Sequence, residues 1–379
     1  MRRKAFFFAA LAVALAAAFL SAAPQRAWDA ARLVAALGGA TPQQVGVALQ
    51  ETAIWSEDGV ERLGLLYRPA GRPAEAALVL VPGADVAGQQ HPLFIAFAET
   101  LASAGFLVLV PDIETLRQLQ LSARDAERIA GAVAFMSEQP VGRSGVVLAA
   151  ISYAVGPTVL AALDPAISDR VSAILGIGGY HDSQAAVTFF TTGAYRDPQG
   201  DWKAKEVANH GRWVFLRANL DLLPSVNDRA LLLEMARLRR ANPIAPVYHL
   251  RDLLSPDGEA VWSVLTNEDP EQVPALIGAL PPPIRDELTA LSLAERDLSR
   301  LEAELILVHG RDDPILPYTE SLALAAAAPQ ANLYLLDSLA HVELDLSTLA
   351  DGWRLFSAAW ALLSVRDRLA GGPATGLAE

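Results

Sequence analysis

The sequence predicts an α/β fold, a mostly parallel central sheet with helices on both faces and a helical insertion. Three observations carry that expectation. Short, continuously apolar runs alternate with segments of helical periodicity, first between 77 and 177 and again between 305 and 369. Such runs read as strands buried on both faces, and their alternation with helices implies βαβ units. Between about 183 and 300 the rhythm breaks, and helical segments punctuated by prolines take over.

In chain order, Thr52-Ala53-Ile54-Trp55 and Leu63-Gly64-Leu65-Leu66-Tyr67 flank Glu57-Asp58-Gly59, which predicts an antiparallel hairpin. Ala77 to Val81 is the first buried strand and stops at Pro82-Gly83. Leu93 to Ala104 follows as a helix, ended by Gly105. Phe106 to Val110 is a strand, Ser122 to Ser137 a helix, and Gly145 to Ile151 a strand. Val155 to Leu163 is the next helix, and Val171 to Ile177 a strand ending in Gly178-Gly179. In the insertion, Ser225 to Arg240 opens with a capping serine. Glu259 to Leu265, Val273 to Leu280 and Ile284 to Leu293 are shorter helices, separated by Asp269-Pro270 and Pro281-Pro282-Pro283. Leu305 to Val308 and Asn332 to Leu336 resume the sheet around a helix at Glu320 to Ala328, and Gly352 to Leu369 closes the chain as a helix.

The expected organisation is a targeting segment at 1–23, a linking helical segment at 24–50 and a first core part at 51–182. A helical cap at 183–300, a second core part at 301–370 and a tail at 371–379 complete it. An insertion of this length is too long for a loop and reads as a subdomain.

Composition narrows the function classes. Lys and Arg total 30 against 43 Asp and Glu, a net charge of −13 that argues against a nucleic-acid partner. Apolar residues at 52% and charged residues at 19% exclude general disorder. The absence of cysteine removes disulfides, thiolate nucleophiles, iron–sulfur sites and a lipid-bearing cysteine anchor. Six histidines with no pair at ligand spacing argue against zinc. No metal and no organic cofactor is implied.

Arg2, Arg3 and Lys4 precede nineteen uncharged residues, Ala5 to Ala23. This is a basic n-region followed by an apolar run, the pattern of export. At 1.5 Å per residue the run reaches ~28 Å, near the ~30 Å hydrocarbon core, so an uncleaved anchor is as open as a cleaved signal. Leu20-Ser21-Ala22-Ala23 offers small residues for cleavage, whereas Pro24 disfavours a cut after Ala23. Either way the positive-inside rule places the rest of the chain across the membrane, periplasmic or secreted. Trp28, Leu33, Val34 and Leu37 form a weak stripe that fits a membrane surface or the core.

Chemistry concentrates at three strand ends. Ala150-Ile151-Ser152-Tyr153-Ala154 places a serine at a strand-to-helix turn, flanked by small residues two positions away on each side. A helix cap is the plainer role for such a serine. His309-Gly310-Arg311-Asp312-Asp313-Pro314 follows a buried strand, and Asp313, one step deeper into the loop than Asp312, is the better orienting carboxylate. His341 follows the last strand and suits a general base near neutral pH. The chain order Ser…Asp…His separates this constellation from the chymotrypsin and subtilisin orders.

With Val81-Pro82-Gly83-Ala84, Val110-Pro111-Asp112, Ile151-Ser152-Tyr153, His309 to Pro317 and His341, the chain resembles the α/β-hydrolase superfamily, in its esterase and dienelactone-hydrolase-like branch. The resemblance spans about Glu51 to Leu369, with the insertion loosely matched. It implies Ser152 as nucleophile, His341 as base and then acid, and Asp313 as the carboxylate that orients it. It also implies an oxyanion hole from the backbone N–H of Tyr153 and that of Gly83 or Ala84. Two departures stand out, alanines in place of both elbow glycines and Pro82 where many members carry His.

Further candidates are weaker. His91, Tyr180 and His181 are placed as pocket residues, and Asp112 as a displaced acid or a simple cap. Trp202, Trp213 and Trp262 read as packing rather than a binding cage. The expected activity is cleavage of a carboxylic ester or related acyl bond in a small molecule, through an acyl-enzyme. A serine peptidase or amidase with the same triad is the alternative within enzymes. A membrane-tethered binding protein on a hydrolase fold is the alternative outside them.

Overall fold

The computed structural model describes residues 24–37, 48–57, 59–120, 122–207, 210–242, 244–337, 339–340, 343–344 and 349–371. Residues 1–23, where the sequence reading places a signal or anchor, His341 and most of the tail lie outside the described residues. Among those described, no helix is long and apolar enough to cross a membrane.

The first strands β1 (Ala48–Glu57) and β2 (Val60–Pro69) pair antiparallel throughout, with Ile54 opposite Leu63. Then come β3 (Ala76–Val81), β4 (Phe106–Pro111), β5 (Val146–Ile151) and β6 (Val171–Ile177). A small ribbon, β7 (Ala194–Arg196) with β8 (Trp202–Ala204), lies apart in the insertion, where the sequence shows no long apolar run. The main sheet resumes with β9 (Glu304–Gly310) and β10 (Ala331–Leu336). Its order is β1-β2-β4-β3-β5-β6-β9-β10, antiparallel up to the β2–β4 pair and parallel beyond it.

Helices α1 (Pro24–Leu37), α2 (Pro92–Ser103), α3 (Asp125–Ser137) and α4 (Val155–Ala162) belong to the first part of the core. The insertion holds α5 (Ser183–Thr192), α6 (His210–Asn219), α7 (Val226–Ala241), α8 (Pro256–Thr266), α9 (Val273–Ala279) and α10 (Pro282–Leu291). Helices α11 (Tyr318–Ala327) and α12 (Leu349–Leu369) return to the core.

Strand periodicity divides the core in two. Along β3, Ala76, Leu78 and Leu80 pack with α1, α2 and α12, while Ala77, Val79 and Val81 pack with α3, α4 and α11 on the other face. The insertion has an apolar core of its own, in which Phe215, Leu232, Met235, Trp262 and Ile284 meet.

Two local expectations are corrected. The helix placed at Ser122 begins only at Asp125, because Ser122 to Arg124 turn their N–H groups onto Asp125, Glu287 and the Ser122 hydroxyl. Helix α1 packs on the core through Ala27, Ala30, Leu33 and Val34, and Trp28, assigned to that stripe, is 46% exposed. Fully buried Asp29 secures α1, its Oδ2 lying 2.7 Å from Arg366 Nη1. The carboxylate sets which face of the helix turns inward, and Trp28 falls opposite.

Candidate active site

Ser152 stands where β5 passes into α4, with φ at 57°. Among the described non-glycine residues only Leu119 shares a positive φ. That backbone state costs an L-residue on the order of 1–3 kcal/mol and persists where the surroundings enforce it. The serine is no helix cap. The turn's cap position belongs to Ile151 without a side-chain bond, and the Ser152 hydroxyl makes no hydrogen bond among the described residues. It lines a cavity of about 340 Å³.

The small residues around Ser152 have distinct roles. Ala150 and Ala154 bury their methyl groups, so the elbow accommodates alanine where glycine is usual. At Gly83 a Cβ would lie 3.6 Å from Ser152 Cβ and 3.2 Å from the Ile151 carbonyl oxygen, so the loop after β3 runs directly beside the serine. At Gly156 a Cβ would lie 2.2 Å from Tyr180 Oη. The Tyr180 hydroxyl donates to the Leu291 carbonyl at 3.1 Å, which leaves the ring little room to retreat. Gly156→Ala should therefore destabilise the fold by about 1–3 kcal/mol, the usual cost of overpacking. Urea unfolding checks this, and an unchanged midpoint would show that Tyr180 yields freely.

Tyr153 is anchored beneath the elbow. Its hydroxyl lies 3.0 Å from the Ser122 carbonyl and 3.1 Å from Asp125 Oδ2, and its ring stacks on Tyr180 with centroids 6.3 Å apart. Its N–H, at the start of a helical turn, is one of those left without an intrahelical acceptor. Burial pushes the Asp125 carboxyl up to about 6, against hydrogen bonds from Thr115, Ser122 and Tyr153 that favour the charged form.

Asp313 lies just past the carboxyl end of β9 and is buried. Its Oδ1 accepts the Ile315 N–H at 2.7 Å and the Leu316 N–H at 3.0 Å, and its Oδ2 lies 3.4 Å from His309 Nε2. Buried His309 also contacts the Ser321 hydroxyl at 2.7 Å through Nδ1 and the Leu316 carbonyl at 3.2 Å through Nε2. Asp312, by contrast, is exposed and paired with Lys205. Ile315 and Leu316 line the same cavity as Ser152, so the two loops meet there. His341 lies outside the described residues; in the sequence it stands five positions after Leu336, the end of β10.

The remaining candidates divide. Gly83, Ala84, Tyr153, Tyr180 and His91 all line the cavity. His181 does not. Its backbone is drawn away instead, the carbonyl accepting from Leu293 and Ala294 and the N–H donating to Glu320 at 3.0 Å. Asp112 is paired with Arg117 at 2.7 Å and does not line the cavity. Contributors that escaped the sequence reading include Phe190 of α5, Phe215 of α6 and Glu287 of α10, all in the cavity wall. Helical periodicity marks such residues as apolar or polar and says nothing of which one a cavity will receive.

Glu320 joins α11 to the start of the insertion, its Oε2 accepting the His181 and Asp182 N–H groups. Burial raises its carboxyl to about 7, those two bonds opposing the shift. A raised folded-state value means stability that is full below the unfolded-state range, near 4.5, and is lost as pH rises through about 7. Glu320→Gln keeps an accepting oxygen without the charge. It should remove a loss on the order of 2–3 kcal/mol between pH 5 and pH 8, measured by denaturant unfolding at both. An equal loss in both proteins would assign the effect to other groups.

No known family model matches the chain. A segment of 61 residues, 16% of the chain, is 36% identical to the 2-hydroxymuconate semialdehyde hydrolase of Pseudomonas putida, and the match spans only 22% of that protein. Among solved structures, a provisionally assigned hydrolase of Legionella pneumophila superposes with a TM-score of 0.50 at 14% identity, over 89% of this chain and 94% of the other. A 2,6-dihydroxy-pseudo-oxynicotine hydrolase gives 0.47 at 14% identity, over 85% and 69%. The Pyrococcus horikoshii acylaminoacyl peptidase gives 0.47 at 15% identity, and the chain covers 40% of its length. The eight-stranded, mostly parallel sheet, the helices on both its faces and the likeness to the Legionella structure together establish that this chain has the α/β-hydrolase fold.

Proposed function

We propose that the protein is a serine hydrolase that cleaves a carboxylic ester through an acyl-enzyme. The observation that carries this reading is Ser152 itself, held at φ 57° on an apolar cavity with a hydroxyl that no described residue engages. A serine serving only the fold would take an ordinary backbone and a hydrogen-bond partner. In the proposed reaction His341 removes the Ser152 proton as Oγ attacks the ester carbonyl, and Asp313 orients the imidazole and stabilises its charged form. The N–H groups of Tyr153 and of Gly83 or Ala84 receive the oxyanion. The proton passes to the departing alcohol, and a water activated by His341 then releases the acid.

The buried, doubly bonded Asp313 supports its assignment over Asp312. The insertion acts as a cap, for which the support is its share of the cavity wall: Val187, Phe190, Phe215 and Leu288 stand there with Ser152. Export is proposed on the N-terminal charge pattern, and a C-terminal reporter active only outside the cytoplasm tests it.

A fluorophosphonate probe tests the central claim, since only an activated serine reacts. Labelling mapped to Ser152, with turnover of a p-nitrophenyl ester series, is expected. Amide substrates cleaved as fast as esters would replace the esterase reading with an amidase, and absence of labelling would leave a binding protein.

A further inference from the structure

The cavity over Ser152 has a charge signature that its apolar lining throws into relief. Phe94 and Phe97 from the core and Phe190, Val214, Phe215 and Leu288 from the insertion stand in its wall. Among the described lining residues there is no Lys or Arg, and the only carboxylates are Asp85 and Glu287. Asp85 is half exposed, accepts the Ala87 N–H at 2.7 Å and lies 4.0 Å from His91 Nε2. Glu287 is placed differently. One of its oxygens accepts the Ala123 N–H at 2.5 Å, and among the described residues no cation pairs with the carboxylate. That bond ties α10 to the turn whose Ser122 carbonyl meets Tyr153, the residue after the serine. Glu287 and Asp125 both push the Tyr153 and Tyr180 hydroxyls upward, added to the larger effect of burial, so the field of Glu287 reaches the residues flanking Ser152.

We infer that this cavity selects apolar ligands that are uncharged or carry an ammonium group, rejects those that carry a carboxylate, and uses Glu287 to make the distinction. The inference deepens the proposed hydrolase reading, in that it takes this cavity as the place where the acyl substrate binds. Its physical basis is simple. A ligand carboxylate entering an apolar chamber gives up its water, finds no guanidinium or ammonium to replace it, and meets a like charge instead. An uncharged ligand has no such cost, and an ammonium group gains a partner that offsets its desolvation. The substrate class that follows is a neutral or amine-bearing ester with a hydrophobic acyl group, and carboxylate-bearing esters are poor substrates.

Binding of three matched ligands to the full-length protein tests this without any turnover. 4-Phenylbutanol, 4-phenylbutylamine and 4-phenylbutyrate share one skeleton and contain no ester. Calorimetric titration at pH 7.5 should give similar Kd values for the alcohol and the amine, and binding on the order of a hundredfold weaker for the carboxylate. Glu287→Gln keeps an oxygen for the Ala123 N–H. It should narrow the carboxylate's disadvantage about tenfold and weaken the amine relative to the alcohol. Should that variant melt below the wild type, Asp85→Asn serves as a second arm, and little change in its ratios is expected because Asp85 is open to water. Equal binding of the alcohol and the carboxylate would overturn the inference. So would ratios left unchanged by Glu287→Gln, ratios altered as much by Asp85→Asn, or saturable binding of none of the three. Failure of the hydrolase reading is distinguished by the fluorophosphonate result, since an unlabelled protein that still shows these ratios retains the selectivity and loses only the chemistry.

Discussion

Ser152→Ala should lose hydrolytic turnover by about 10⁴-fold or more while unfolding close to the wild-type midpoint, because in the proposed triad the loss of one member disables the whole unit. The expected stability follows from the environment of the hydroxyl. It accepts and donates nothing among the described residues, so its removal leaves no buried group without a partner. Steady-state kinetics on whichever p-nitrophenyl ester the wild type accepts, beside a thermal melt, measures both halves. Wild-type turnover in the variant would remove Ser152 from the nucleophile's role. A collapse in melting temperature together with activity would recast it as a structural residue.

Asp313→Asn carries the second-largest expected effect, a fall in kcat on the order of 10³- to 10⁴-fold. The substitution is conservative by design. An asparagine oxygen still accepts the N–H groups of Ile315 and Leu316, so the loop that lines the cavity keeps its shape. What disappears is the negative charge proposed to orient the His341 imidazole and to stabilise it when protonated. Asp312→Asn is the matched control, exposed and, among the described residues, paired only with Lys205, and its kcat should remain near the wild-type value. Equal losses in the two variants would mean that the loop, rather than the Asp313 carboxylate, had been disturbed.

Much of the architecture was legible because burial on both faces leaves a mark on composition. Ala173 to Ile177, for example, is an unbroken apolar run because neither face of the strand meets water there, and the structure places it between β5 and β9. The capping serine at 225 was legible for a similarly local reason, since its side chain accepts from the Asp228 N–H within the same turn. Short elements left weaker marks. The three-residue strands β7 and β8 are held by pairing with each other and carry too few residues for a period to emerge. His181 shows the limit from the opposite side. It adjoins Tyr180, which lines the cavity, but its backbone is claimed by Glu320 and by Leu293 and Ala294, more than a hundred positions away.

The sequence by itself determined the fold class, the order of the strands along the chain and the candidacy of Ser152 and Asp313, since these depend on local periodicity and on residues at strand ends. Only the tertiary structure decided the rest: that Ser152 is strained rather than capping a helix, that Gly156 makes room for the Tyr180 ring, and that Glu287 of α10 stands in the wall over the serine. The physical reason is the range of the interactions concerned. Hydrophobic patterning and capping act within a few residues and leave a trace in the one-dimensional order. A cavity wall is assembled from segments as far apart as Gly83 and Leu316, and which side chain each one presents is set by the packing of all the others.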